Sequence, residues 1–138
     1  MDIPEIIERL NAHKPGFLNL LGGEIVGFDP EQHTCTFEFT VPLDYCHSGD
    51  IVQGGFVTAM LDACMAHAIF GVDQRITRLS SLEISTRFLN ATRGNQKLTV
   101  VGKIDKATQH IAFMTGSITD ESGVVTATAQ SVAKLSRS

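Results

Sequence analysis

Cysteine is scarce in this chain, and its placing excludes two classes of small protein. Cys35, Cys46 and Cys64 are odd in number, far apart and without a CxxC pair, so neither a disulfide framework nor a zinc site is indicated. A reducing, cytoplasmic setting is the expectation. Positive charge is also in short supply. The formal net charge is -4 and no Lys/Arg stripe is present, which argues against a nucleic-acid partner. Missing too is a basic start followed by an apolar run, because Met1 to Lys14 mixes acidic and basic residues with apolar ones, unlike a secretory signal. The longest apolar stretch follows Gly55 and is interrupted by Asp62 and His67. It reads as too short and too polar to span a bilayer. Gly54-Gly55 leading directly into an apolar helix has the spacing of neither a dinucleotide fingerprint nor a phosphate-binding loop. No metal or redox cofactor is implied.

What is present fits one globular domain over residues 1–138, since 138 residues at 43% hydrophobic and 19% charged suffice for one core. Asp2 and Glu5 resemble a capping box with Pro4 in the first turn, and Ile3, Ile6, Ile7 and Leu10 give a short amphipathic helix that ends by Pro15 and Gly16. Ile25, Val26 and Phe28 predict a strand closed by Asp29-Pro30. In TCTFEFTV, Cys35, Phe37, Phe39 and Val41 alternate with polar residues, so a second strand buries one face. After a long apolar helix come four more strands. Leu82, Ile84, Thr86 and Phe88 alternate in the first; Leu98, Val100 and Ile104 mark the second; Ile111 and Phe113 the third; Val125, Ala127, Ala129 and Ala133 the last. Turns are expected at Gln109 and at Asp120 to Gly123. This order predicts an α+β fold with one antiparallel sheet curled around the central helix. Such a sheet has a second face and edges to cover, and self-association is the economical way to do so.

The richest segment is YCHSGDIVQGGFVTAMLDACMAHAIFG, from Tyr45 to Gly71, in which a polar loop meets two glycines and an almost wholly apolar helix carrying one acid, Asp62. Apolar residues fill every side of that helix, which predicts that the fold wraps it. A carboxylate there is either held by hydrogen bonds or used in chemistry. Gly54 and Gly55 let a ligand approach the backbone closely, and free N–H groups at a helix start suit a carbonyl oxygen gaining negative charge.

The layout and the segment HSGDIVQGGFVTAMLDACMAHA resemble the hotdog-fold acyl-CoA thioesterases of the phenylacetate-pathway and 4-hydroxybenzoyl-CoA type. The order of elements matches from roughly Gly22 to Leu135, and the specific part runs from His47 to Asp62. The family commonly reads Asn-x-x-Gly-x-x-His-Gly-Gly, with an acid eight residues after the first glycine of the pair, and Gly54 and Asp62 have that spacing. The resemblance implies that the Gly54 N–H polarises a thioester carbonyl, that Gly55 borders the substrate, and that Asp62 is the nucleophile or the general base toward water. It also implies a homodimer or homotetramer in which these two groups come from different subunits. His47 stands where the family usually has Asn or Gln, and Gln53 where it usually has His, so the polar pair is exchanged; both can orient a carbonyl or a water. Asp50 replaces the loop glycine, with Gly49 one place earlier. Ser80 or Ser81 matches a serine or threonine that supports the site in relatives.

Arg87, Arg93 and Lys97 flank one turn and are candidates for the phosphates of an acyl-CoA partner, although exposed basic residues are ordinarily just solvated. Phe56, Met60, Ile69 and Phe70 are candidate lining for an acyl pocket. His67, about 140° around the helix from Asp62, is expected to be a packed, hydrogen-bonded core histidine facing away from the site. Cys35 and Cys64 read as small buried hydrophobes. Two other functions fit the pattern: a hotdog 3-hydroxyacyl dehydratase pairing His47 with Asp62, and a non-catalytic acyl-CoA-binding protein.

Overall fold

The computed structural model describes residues 1–137. Helix α1 spans Ile3–His13, and the Asp2 side chain accepts the Glu5 N–H at 2.9 Å, which satisfies one of the free donors of the first turn. Ile6 and Leu10 are its buried face. Asn11 fastens α1 to the sheet by accepting from the Ile25 N–H and donating to the Ile25 carbonyl, both at 2.9 Å. A single helical turn, α2 (Phe17–Leu20), follows and buries Leu18. Flanked by Pro15-Gly16 and Gly22-Gly23, this turn is too short to show a helical period in the sequence.

The strands are β1 (Gly23–Asp29), β2 (Thr34–Thr40), β3 (Cys46–His47), β4 (Ile51–Val52), β5 (Ile76–Phe88), β6 (Lys97–Ala107), β7 (Ile111–Thr119) and β8 (Val125–Arg137). Six of them form one antiparallel sheet in the order β1-β2-β6-β7-β8-β5. Helix α3, Gly54–Val72, packs on one face of this sheet, against β2, β5, β6, β7 and β8. Phe37, Phe39, Leu98, Val100 and Ile118 face it from the sheet, and Met60, Leu61 and Met65 reach down from the helix. A Cβ at Gly102 of β6 would lie 2.7 Å from the Cys64 and Met65 backbone, so the missing side chain lets α3 settle directly onto the strand. The result is the expected α+β hotdog arrangement.

Three local features differ from expectation. First, α3 is not covered on every side: Gly55, Ala59, Asp62, Ala66 and Phe70 form a less buried stripe along an otherwise enclosed helix. Secondly, a register shift between Ser81 and Glu83 turns Leu82 out of the alternation with Ile84, and it is 60% exposed. A bulge of this kind re-aims the residues beside it. Thirdly, the 19 residues of α3 are long and apolar enough to cross a membrane by length and composition. Against the sequence expectation, what marks it as a core helix is its enclosure by the sheet.

Candidate functional site

Asp62 sits midway along α3 on the less buried stripe, and the Ser81 hydroxyl of β5 donates to its Oδ1 at 2.8 Å. The two serine candidates are thereby separated. Ser80 pairs with Lys134 across the strands while Ser81 reaches the helix, and the bulge after Ser81 helps set that orientation. One turn earlier, the Thr58 and Thr86 hydroxyls meet at 3.0 Å, a second rung between α3 and β5. Oδ2 of Asp62 has no partner among the described residues. The carboxylate borders a cavity of about 520 Å³ whose walls come from α1 (Arg9, Leu10, His13), α3 (Ala63, Ala66, His67, Phe70) and β5 (Ile76, Leu79, Ser81).

The start of α3 is built differently. Gln53 is the N-cap, with φ -55° and ψ 135°, its carbonyl accepts from the Phe56 and Val57 N–H groups, and its own N–H donates to the Tyr45 carbonyl at 3.0 Å. No side chain caps this end, which leaves the Gly54 and Gly55 N–H groups without intrahelical acceptors. A Cβ at Gly54 would meet the Phe88 ring at 3.4 Å, whereas one at Gly55 would meet nothing within 4 Å. The polar stretch before the helix is a small hairpin, β3 against β4, turned by Ser48 at φ 51° and Gly49 at φ 91°. It presents His47, whose Nδ1 lies 3.1 Å from the Ser48 hydroxyl.

Gly54 and His47 border one cavity of about 460 Å³ together with Val57, Phe88 and Asn90. Gln53 and Gly55 border another, with Tyr45, Phe56 and Leu20. The exchanged pair His47 and Gln53 therefore does not meet in one cavity within a protomer. Neither do Gly54 and Asp62, which are about 12 Å apart along the helix axis. The basic candidates fare less well. Arg93 is paired with Asp50 at 2.6 Å and Lys97 with Glu38 at 3.7 Å, so each already has a carboxylate, while Arg87 is exposed on β5 opposite Thr128.

Of the four residues suggested for an acyl pocket, Phe70 alone lines the Asp62 cavity. Met60 and Ile69 are sealed in the core and Phe56 faces the Gln53 cavity. His67 is buried and hydrogen-bonded as expected, its Nδ1–H donating to the Ala63 carbonyl at 2.7 Å, yet it borders the same cavity as Asp62. The small Ala63 and Ala66 between them leave room for the space to wrap around the helix. Arg9 and His13 also reach this cavity, and nothing in the pattern of α1 distinguishes them from a solvated face. Burial pushes the Cys64 thiol well above its ordinary pKa, and Cys64 Sγ donates to the Cys35 and Val100 carbonyls. Such a thiol is packing, not a nucleophile.

Residues 49–127 match the family model of the thioesterase superfamily. The chain belongs to that superfamily. In fold it is similar to a phenylacetic acid degradation-related protein of Ralstonia eutropha JMP134 (TM-score 0.84, 20% identity, 94% of this chain and 98% of that one). It is likewise similar to the Escherichia coli PaaI protein from the phenylacetic acid degradation operon (0.83, 14%, 98% and 96%). A hypothetical thioesterase of Streptococcus pneumoniae TIGR4, solved with coenzyme A, gives 0.74 at 16% identity over 83% of this chain and 86% of that one. The search of curated proteins found no match.

Proposed function

We propose that this protein hydrolyses an acyl-CoA thioester to the free acid and CoA. The observation that carries the reading is the Asp62–Ser81 pair. Ser81 donates to Oδ1 at 2.8 Å and so steadies a carboxylate that borders the cavity between α1, α3 and β5, in a chain of the thioesterase superfamily. Asp62 either attacks the thioester carbonyl carbon, so that the C–S bond breaks, CoA leaves as thiolate and water then cleaves the mixed anhydride to the free acid, or takes a proton from an attacking water and passes it to the departing CoA thiolate. In both routes a helix-start N–H at Gly54 stabilises the oxyanion that forms before the C–S bond breaks. The coenzyme A held by the S. pneumoniae relative supports CoA as the carrier.

Gly54 and Asp62 border different cavities of one protomer, so the reading includes a second subunit. In a homo-oligomer the helix start of one chain faces the carboxylate of its neighbour, and each site is composite. The uncovered stripe of α3 and the exposed edge strand β5 are the surfaces such an assembly would cover.

The test is Asp62→Asn assayed by thiol release across a panel of acyl-CoAs. Turnover falls by about 10²-fold or more with KM little changed. Near-wild-type hydrolysis in that variant would sink the assignment. The separation of Gln53 from His47 favours, as a second reading, an acyl-CoA-binding protein without turnover. That reading expects saturable binding by titration calorimetry and no thiol release from the wild type.

A further inference from the structure

Asn11 fixes which flank of α1 looks at the Asp62 cavity. Its hydrogen bonds to Ile25 turn one side of the helix onto β1, and Arg9 and His13, each two residues away, project about 160° from it around the helix. On that opposite flank they join α3 and β5 in the cavity wall. Four residues apart, the two side chains are neighbours on one face. Lys14 adds charge at the same end. Its ammonium reaches Asn11 Oδ1 at 3.4 Å. Burial first, and then the charge of Lys14, hold the His67 pKa below its ordinary value against the Ala63 hydrogen bond, so Lys14 stands near a residue of the cavity wall. His67 is about 7.5 Å along α3 from Asp62, which puts the last turn of α1 toward that end of the cavity.

The basic side chains here have no acid of their own. The ion pairs among the described residues are formed by Arg75, Arg93, Lys97 and Arg137, and Asp62, the one acid lining the cavity, is held by Ser81 instead. In a chain of net charge -4, a wall with an unpaired guanidinium and imidazole is a local excess of donors. Leu10, Ala66, Phe70 and Leu79 lie in the same wall and offer hydrocarbon to a chain running from one polar group to the other.

A thioester carbonyl at Asp62 sends out two arms. The CoA arm ends in a nucleotide beyond a long pantetheine chain, whereas about 520 Å³ is the size that encloses a small ligand. The acyl arm is the one that fits. We propose that Arg9 and His13 bind an anionic group at the far end of the acyl chain, so that acyl-CoAs ending in a carboxylate are preferred to neutral ones of equal length. Arg9 offers a planar fork matched to two carboxylate oxygens, and His13 a ring N–H. Asp62 repels the same group when the chain is short, so the preference needs a spacer. The inference rests on the thioesterase reading for what carries the acyl group.

The experiment compares ω-carboxyacyl-CoAs, from butanedioyl to decanedioyl, with the isosteric ω-amides and with unsubstituted acyl-CoAs of equal length. Expected is a maximum at one length, with kcat/KM about five- to tenfold higher for carboxylate than for amide and the ratio shrinking as salt is raised. Arg9→Met, which keeps the hydrocarbon stem at an exposed position, should abolish the ratio. Arg9→Lys should retain part of it, Arg9→Glu should invert it, and His13→Gln should lower it less than Arg9→Met does. Equal kcat/KM for carboxylate and amide tails at every length, or a ratio unchanged in Arg9→Met, overturns the inference and leaves the hydrolase reading intact. So does a rise in KM in Arg9→Met that is the same for every tail, since that assigns Arg9 to the phosphates of CoA. Titration with non-hydrolysable thioether analogues of the same tails separates the two ideas from the other side. A carboxylate preference in binding without hydrolysis of any acyl-CoA would retain the Arg9 subsite and reject the hydrolase.

Discussion

At the residue scale, the proposed hydrolysis turns on one hydrogen bond and one free N–H. Ser81 touches only one oxygen of Asp62, so it orients the carboxylate without being replaced by it. Ser81→Ala should lower kcat by roughly tenfold to a hundredfold, the range for a hydrogen bond to a charged group, and stay milder than Asp62→Asn under the same thiol-release assay. A loss equal to that of Asp62→Asn would assign Ser81 a direct chemical part. Gly54 allows a cleaner test than a bulky replacement. It is the first residue of α3, where proline is well tolerated, and Gln53 before it already has φ -55° and ψ 135°, suited to a residue preceding proline. Gly54→Pro should thus keep the fold by circular dichroism while deleting the N–H. The expected loss is about 10²–10³ in kcat; full activity in a folded Gly54→Pro would remove this donor from the mechanism.

At the element scale, α3 is held at its far end by an ion-pair network. The Asp73 carboxylate accepts from the Arg75 backbone N–H and side chain, each contact at 3.0 Å, and from Arg137 Nε at 3.1 Å. Arg137 also donates to the Gln109 carbonyl, joining the helix end, β8 and the β6–β7 turn. The Arg75 hydrogen bonds, with Arg137, hold Asp73 well below the usual carboxylate range. A depressed folded pKa contributes stability that is full above the unfolded value of about 3.9 and is lost as pH falls through the folded one. Asp73→Asn should therefore lower Tm by a constant amount from neutral pH to about pH 5, with the gap closing toward acid. A gap that stays constant below about pH 3 would mean that the carboxylate's charge is not what stabilises the helix end. Elements of this kind were legible in the sequence where a period was long enough. The alternation of Cys35, Phe37 and Phe39, the cap at Asp2 and the apolar run that follows Gly54 all announced what the structure contains. The bulge that exposes Leu82, the hairpin around Ser48-Gly49 and the part of α1 in the Asp62 cavity did not. Each depends on what a segment meets in space, and a local pattern carries no record of that.

At the scale of the whole molecule, the proposed composite site makes a quantitative demand. Asp62→Asn and Gly54→Pro disable complementary halves. Mixed after subunit exchange, random pairing gives half the dimers one of each chain, and in those one site of two has both groups intact. Recovery should approach about a quarter of wild-type activity. Confirmed mixed dimers with no recovery, or a fully active monomer by light scattering, would remove the shared site. The strand that would lie at such a junction, β5, has thirteen residues, pairs with β8 on one side alone, and exposes Leu82 and Phe88. Long and open on one side, with Leu82 and Phe88 exposed among charged and hydroxyl-bearing residues, that edge can serve as a template for another strand. If the neighbour that covers it is another copy of the chain, the protein is its own protective agent: a stock solution is safest when concentrated, and the handling step that endangers it is dilution.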